Sequence, residues 1–144
     1  MEKRLINLTE HDITVLPEGR VGVTAHILGA RIRRTRRVTI PPSGVVARVH
    51  AVHEEVARVT IDGGDISIVS TRFGEIVGLP APEPGVLYIA STLVAQAAAR
   101  AGRRDVVAPD TGPDSVIRGP DGRPVAVQRF QTFWADDEEE AKNV

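Results

Sequence analysis

Residues 85–112 read GVLYIASTLVAQAAARAGRRDVVAPDTG, and the reading of this stretch decides the fold class. A β-prone run, Val86–Ala90, leads into Ser91-Thr92, then an alanine-rich helix, then Arg103-Arg104-Asp105 and a Pro/Asp/Gly loop. Ser91 or Thr92 can cap the exposed amides of the helix, and Gly102 can end it in a left-handed conformation. Leu93, Val94, Ala97, Ala98 and Ala101 recur at helical spacing and form one apolar stripe. Small alanines let such a helix lie close to a sheet. The order strand, serine, helix places backbone N–H groups and the positive end of a helix dipole at a strand end, which favours an anion.

Working outward, short β-prone runs dominate. Leu5–Leu8 and Ile13–Leu16 flank a polar corner, Thr9-Glu10-His11-Asp12, and Val23–Leu28 and Val38–Ile40 follow. Pro41-Pro42-Ser43-Gly44 is a turn, because proline fixes φ and glycine permits positive φ. Val45–Val49 reads as a strand, while Ala51–Ala57 fits either a helical turn or a strand. Val59–Ile61 and Ile66–Ser70 make a β-hairpin about Asp62-Gly63-Gly64-Asp65, and Phe73–Val77 continues it. The proline-rich span 78–85 is an irregular connection. A last hairpin pairs Ser115–Ile117 with Pro124–Phe133. The expected class is α+β: a mainly antiparallel β-sheet, because the connections look short, with one principal α-helix packed on it. Residues 1–134 form a single β-rich domain, and the acidic, apolar-poor segment 135–144 is expected to be disordered.

Composition narrows the classes. A chain of 144 residues fits one compact domain. Aromatics make up 3% of it, so Val, Ile, Leu and Ala must fill the core. A formal net charge of −1 gives no overall bias towards nucleic acid or membrane. The chain contains no cysteine, which excludes disulfides, thiolate metal sites and a cysteine nucleophile, and suits a reducing cytoplasm. The opening MEKRLINLTEHD turns polar too soon for a signal peptide. No apolar stretch approaches the roughly 20 residues that cross a bilayer. The expectation is a soluble cytoplasmic protein with no membrane partner.

The candidate ligand site comprises Ser91, Thr92, Arg103, Arg104, Asp110 and Thr111. Helix-start amides and arginines would neutralise a phosphate or carboxylate, since a guanidinium can pair with two oxygens. Asp110 or Thr111 would bond to ligand hydroxyls. Against this, serine before a helix is ordinarily a cap, and the glycine-rich loop and lysine of a P-loop are absent. Asp105, Asp110, Thr111 and Asp114 can also hold a turn by bonding their own backbone, and they lack calcium-loop spacing. His50 and His53, with Glu54 and Glu55, would share a face on a helix but not on a strand, so no metal site is assigned. His11 beside Asp12 suits acid–base chemistry, but no serine sits in a nucleophile elbow, and no catalytic residue is assigned.

Two oppositely charged segments stand apart. Arg31, Arg33, Arg34, Arg36 and Arg37 lie within seven positions, and Asp136–Glu140 is an unbroken acidic run. The arginines can grip phosphates, but no aromatic residues interleave them for base stacking. A solvated arm or protein contact is therefore preferred over nucleic acid. The acidic tail is a natural partner for the arm, within one chain or between subunits, and that pairing would weaken with salt.

Several phrases, taken in order, resemble a family of small uncharacterised proteins common in phages and prophages. They are Asn7-Leu8-Thr9-Glu10-His11-Asp12, Pro41-Pro42-Ser43-Gly44-Val45-Val46-Ala47-Arg48-Val49, Phe73-Gly74-Glu75 with Gly78-Leu79-Pro80, Tyr88-Ile89-Ala90-Ser91, and Arg104-Asp105-Val106-Val107-Ala108-Pro109-Asp110. The resemblance spans roughly residues 5–131, apart from an arginine-rich insertion near 25–37. The family usually has proline at the place of Glu10 and valine at the place of Ala90. The resemblance brings no activity. It implies a phage-associated accessory protein in the host cytoplasm, of a kind that binds a host factor or host signalling molecule.

Three readings follow. The first is a non-enzymatic binding protein, without cofactor, that holds a small anionic, nucleotide-like ligand or a host protein. The second is a structural or interaction protein in a homo-oligomer or virion-associated assembly, using the Arg31–Arg37 arm and the acidic tail. The third is a small phosphoester hydrolase using His11, Asp12 and the acids of 105–114.

Overall fold

The computed structural model describes residues 3–17, 25–27, 31–32 and 37–135, with backbone alone at 25–27 and 31–32. In chain order its strands are β1 (Lys3–Asn7), β2 (Ile13–Val15), β3 (Ala25–Ile27), β4 (Arg31–Ile32), β5 (Val38–Ile40), β6 (Arg48–Ile61), β7 (Gly64–Val77) and β8 (Val86–Ile89). The helix α1 (Thr92–Arg100) follows, then β9 (Val106–Pro109), β10 (Val116–Arg118), β11 (Pro124–Val127) and β12 (Phe130–Gln131). One sheet has the order β12-β9-β8-β1-β3, a second β10-β11-β2-β5-β4, and β6 and β7 form a two-stranded ribbon. The protein is α+β and dominated by sheet.

Antiparallel ladders join β6 to β7, β2 and β4 to β5, β10 to β11 and β12 to β9. The sheet beneath the helix departs from that pattern. There β8 pairs in parallel with both β1 and β9, and β1 with β3. The reason is a strand–helix–strand crossover, β8–α1–β9, which returns the chain to the same edge in the same direction. Val106–Pro109, expected within a loop, is the second strand of this unit.

The strands β8 (VLYI) and β9 (VVAP) are apolar throughout because both their faces are covered. On one face Val86, Tyr88, Val106 and Ala108 pack with Val94, Ala95 and Ala98 of α1. On the other, Leu5, Ile89 and Val107 pack with Ile13 of β2 and Ile40 of β5. The result is three layers: helix, sheet, sheet. Alanine at the helix contact keeps the axis close to the strands. Tyr88 is 2% exposed, and its hydroxyl donates to Ala81 O at 3.0 Å. Burial, and then the Glu83 and Asp105 carboxylates, hold its phenol above the usual range.

The ribbon is the other large feature. The Asp62-Gly63 turn (Gly63 φ +99°) joins strands of 14 residues each, which is Asp-Gly hairpin chemistry. Ala51–Ala57 therefore belongs to a strand. The base of the ribbon rests on α1, where the Arg100 guanidinium lies 5.1 Å from the Phe73 ring centre, a cation–π distance. Beyond the base both strands are exposed.

The ribbon returns to the core through Gly78, whose φ is +85° and whose place for a Cβ lies 2.3 Å from Val46 O. Both the backbone angle and the close approach demand glycine here. Gly78→Ala is expected to cost about 2–3 kcal/mol, read as a lower urea midpoint at unchanged m-value. Gly122→Ala, also at positive φ (+81°) but with open space around it, should cost less.

A cleft at the carboxyl edge of the parallel strands

Parallel strands bring their carboxyl ends to one edge, and loops that follow them meet there. Beyond β1 lies the corner from Asn7 to Asp12; beyond β8, Ala90 and Ser91 lead into α1; beyond β9 comes Asp110. The corner is locked by Asn7, which is 1% exposed. Its Nδ2 donates to His11 O at 2.9 Å and Ile40 O at 3.0 Å, and its Oδ1 accepts from Thr9 N at 2.8 Å and Thr9 Oγ1 at 2.7 Å. Its main-chain oxygen accepts from Ser43 N at 2.9 Å and Ser43 Oγ at 2.7 Å. Leu8 then continues the ladder on both sides, donating to Ile89 O at 2.7 Å and accepting from Ala47 N at 3.0 Å. Val45–Ala47, expected in a strand, runs here as irregular chain held against the corner.

The corner (8–11), the chain at 46–49 and the start of α1 (91–94) line an open cleft of about 290 Å³. Leu8, Ala47, Val49 and Val94 supply apolar surface, while Thr9, Glu10, His11, Arg48 and Ser91 supply polar groups. Ser91 is the helix cap: its Oγ accepts from Val94 N at 3.3 Å, and its main-chain oxygen accepts from Ala95 N at 2.9 Å. This leaves the amides of Thr92 and Leu93 at the open start of the helix, whose first turn carries no acidic residue. Arg48 pairs with Glu10 across the mouth, with both side chains more than half exposed. An exposed ion pair of this kind contributes about 0–1 kcal/mol, so Arg48 can exchange Glu10 for another anion at little cost.

Ser91 and Thr92 thus lie at this edge, as do Asp110 and Thr111. Arg103 and Arg104 do not. They precede β9 and sit at the far end of α1, roughly 20 Å away along the sheet at about 3.3 Å per strand residue. The helix and crossover that separate them from Ser91 in sequence also separate them in space. Arg103 forks onto Asp105 (Nε to Oδ1 2.9 Å, Nη2 to Oδ2 2.8 Å) and donates to Pro80 O at 2.9 Å. It is a structural clamp, its guanidinium pKa raised first by the Asp105 hydrogen bond. Arg104 donates to Ala135 O at 2.8 Å.

Asp110 is engaged too. It accepts from Arg129 Nε at 2.5 Å and from Gly112 N at 2.9 Å, and the Arg129 bond, followed by the Gly112 bond, lowers its pKa. Thr111 is exposed beside it. Asp12 borders a different hollow, with Pro109 and residues 124–127, and Asp105 is at the opposite edge. None of Asp12, Asp105, Asp110 and Asp114 lines the cleft that holds His11. His53 bonds through Nδ1 to Thr71 Oγ1 at 2.8 Å on the ribbon. Among the described residues no group of three or more His, Asp or Glu side chains is placed to hold a metal, and no helix is long and apolar enough to cross a membrane. Of the arginine cluster, Arg31 begins β4 and Arg37 is exposed. Arg33, Arg34, Arg36 and the acidic run 136–140 lie outside the described residues.

No protein-family model, no curated protein and no solved structure matches the chain.

The residues that sequence reasoning missed are Asn7 and Arg48. Arg48 is 38 positions from its partner Glu10, and no local spacing signals such a pair. Asn7 is one polar residue at a strand end, and its burial becomes visible once Ile40 and Ser43 are brought against it.

Two outcomes follow. Asn7→Ala should destabilise the fold by about 2–3 kcal/mol, because it removes a buried amide and strands the carbonyls it satisfied; urea denaturation checks this. Asp110, with a folded pKa below its unfolded value near about 4, adds stability above that value. That stability is lost as pH falls through the folded pKa. Asp110→Asn should flatten the acid limb of a stability–pH curve at pH values below the unfolded carboxylate pKa, leaving its slope at neutral pH unchanged.

Proposed function

We propose that the chain is a non-enzymatic binding protein whose ligand is a small molecule with an anionic group, seated in the carboxyl-edge cleft. The observation that carries this reading is the cavity itself. At about 290 Å³ it lies at the small end of ligand sites, about 300–1,000 Å³, and suits a mononucleotide or something smaller. Its apolar surface would take a ring or alkyl part. Arg48 and the Thr92 and Leu93 amides would take the charge, and the Thr9 and Ser91 hydroxyls would bond to polar substituents. Carboxyl edges of parallel strands are where open sheets with crossover helices commonly bind ligands. The motif resemblance supports a phage-associated setting in a host cytoplasm, where such a ligand would be a host metabolite or signalling molecule.

In this reading Ser91 and the Thr92 amide serve the ligand, Arg48 takes the part expected of Arg103 and Arg104, and Asp110 and Thr111 are outside the cleft lining.

Glu10 makes the proposal testable from two sides, because its carboxylate competes for Arg48. Titration calorimetry with adenosine 5′-monophosphate and with inorganic phosphate is the measurement. Binding should weaken about tenfold, or about 1.4 kcal/mol, in Arg48→Ala, strengthen in Glu10→Gln, and stay the same in Arg104→Ala. If Arg104→Ala weakens binding and Arg48→Ala does not, the cleft is the wrong site. If neither probe binds, and native mass spectra of gently purified protein retain no small anionic mass, the ligand reading fails.

A further inference from the structure

Away from the cleft, two hollows flank the last turn of α1 and adjoin at Arg100. One, of about 380 Å³, lies between the helix and the base of the ribbon, beside Arg72 and Phe73. The other, of about 280 Å³, lies between the end of the helix and the chain at 133–135. Together they carry Arg72, Arg100, Arg103 and Arg104, and no acidic residue lines either. Arg103 is committed to Asp105. Arg100 is exposed against the Phe73 ring and pairs with no carboxylate among the described residues. Arg72 reaches Glu54 only at 3.9 Å, with its side chain 71% exposed.

The described residues end in the second hollow. Phe133 packs on the core cluster beneath the helix and Trp134 on the one between the sheets, so the pair straddles the sheet edge. Arg104 then donates to Ala135 O at 2.8 Å. These attachments fix the point from which residue 136 departs, and the next five residues are Asp136-Asp137-Glu138-Glu139-Glu140. Extended, five residues reach about 17 Å at about 3.4 Å each. A helix is about 10–12 Å across, so that reach carries the acids over the last turn of α1 from one hollow to the other.

We infer that the two hollows form a docking groove for an acidic segment, and that its occupant is residues 136–140 of the same chain. Guanidiniums bond carboxylates strongly, two oxygens at a time, and the run of acids begins one residue beyond Ala135. A tether so short holds the acids at an effective concentration of about millimolar, which a separate acidic peptide has to exceed. The Arg31–Arg37 arm has no such fixed point beside the tail, so the groove takes the place the sequence suggests for the arm.

The chain contains no cysteine, so a nitroxide placed through Ala141→Cys is the single label, and its broadening of backbone amide signals reports where the tail lies. In the full chain at low salt, the amide signals of Arg72–Gly74 and Ala97–Ala101 should be lost. They should return when the five acids are neutralised together (Asp136→Asn, Asp137→Asn, Glu138→Gln, Glu139→Gln and Glu140→Gln). They should also return in Arg72→Gln with Arg100→Gln, and at about 1 M salt, where the screening length is about 3 Å. Arg118→Gln, exposed on another hairpin, should change nothing. Broadening that survives neutralisation of the acids overturns the inference, as does broadening that falls instead around Leu8 and Leu93 or beside Arg37. Broadening carried between molecules, in a mixture of isotope-labelled and nitroxide-labelled chains, overturns it in favour of another copy's tail. No broadening at all overturns it too.

Discussion

The buried side chain of Asn7 is the constraint from which the architecture of this protein hangs. A primary amide taken out of water must have its hydrogen bonds returned or the fold loses stability. Here the returns come from Thr9 and His11 in the next turn of chain and from Ile40 at the end of β5. Satisfying one side chain therefore ends β1, reverses the chain and pins the second sheet to the first. The backbone oxygen of Asn7 meanwhile receives Ser43, which brings Ala47 and Arg48 alongside Leu8. The wall of the cleft is a by-product of this accounting.

A second constraint acts on the sheet that the corner closes. With few aromatic residues, the core must be thin and close-packed, and the three layers achieve this by making β8 and β9 serve two contacts at once. Tyr88 and Ala108 face the helix; Ile89 and Val107 face the second sheet. The alanine-rich face of α1 lets the helix approach closely enough for short side chains to fill the gap. Arg103, bonded at once to Asp105 and Pro80, then fixes the proline-rich connection against the start of β9.

Much of this was legible along the chain, because periodicity and turn chemistry are local. The helix, its Ser91 cap, the Asp62-Gly63 hairpin and the sheet-rich class all follow from neighbours in sequence. What was not legible depends on distance through space. Val106–Pro109 looked like loop because Asp, Pro and Gly surround it, although its Val-Val-Ala run is what a strand buried on both faces requires. Arg103 and Arg104 are grouped with Ser91 by their order in sequence, but α1 (Thr92–Arg100) runs along the sheet and sets them at its opposite edge. The Glu10–Arg48 pair needed β1 and the 41–47 segment to be placed side by side before it could be seen.

The pairing of β1 with β8 also bears on how the chain reaches this state. Leu5 lies opposite Leu87, so the ladder of β1 with β8 cannot form until the whole ribbon and three of the five strands of the second sheet have been synthesised. Contacts so distant along the chain make for slow folding. The ribbon, by contrast, is entirely local and can zip as soon as its turn emerges from the ribosome. A nascent chain would thus carry a finished hairpin with an aliphatic strip while its first strand still lacked β8, one of its two neighbours. During that interval the protein is most open to chaperones and to misassembly, and a pause in translation before residue 86 would lengthen it.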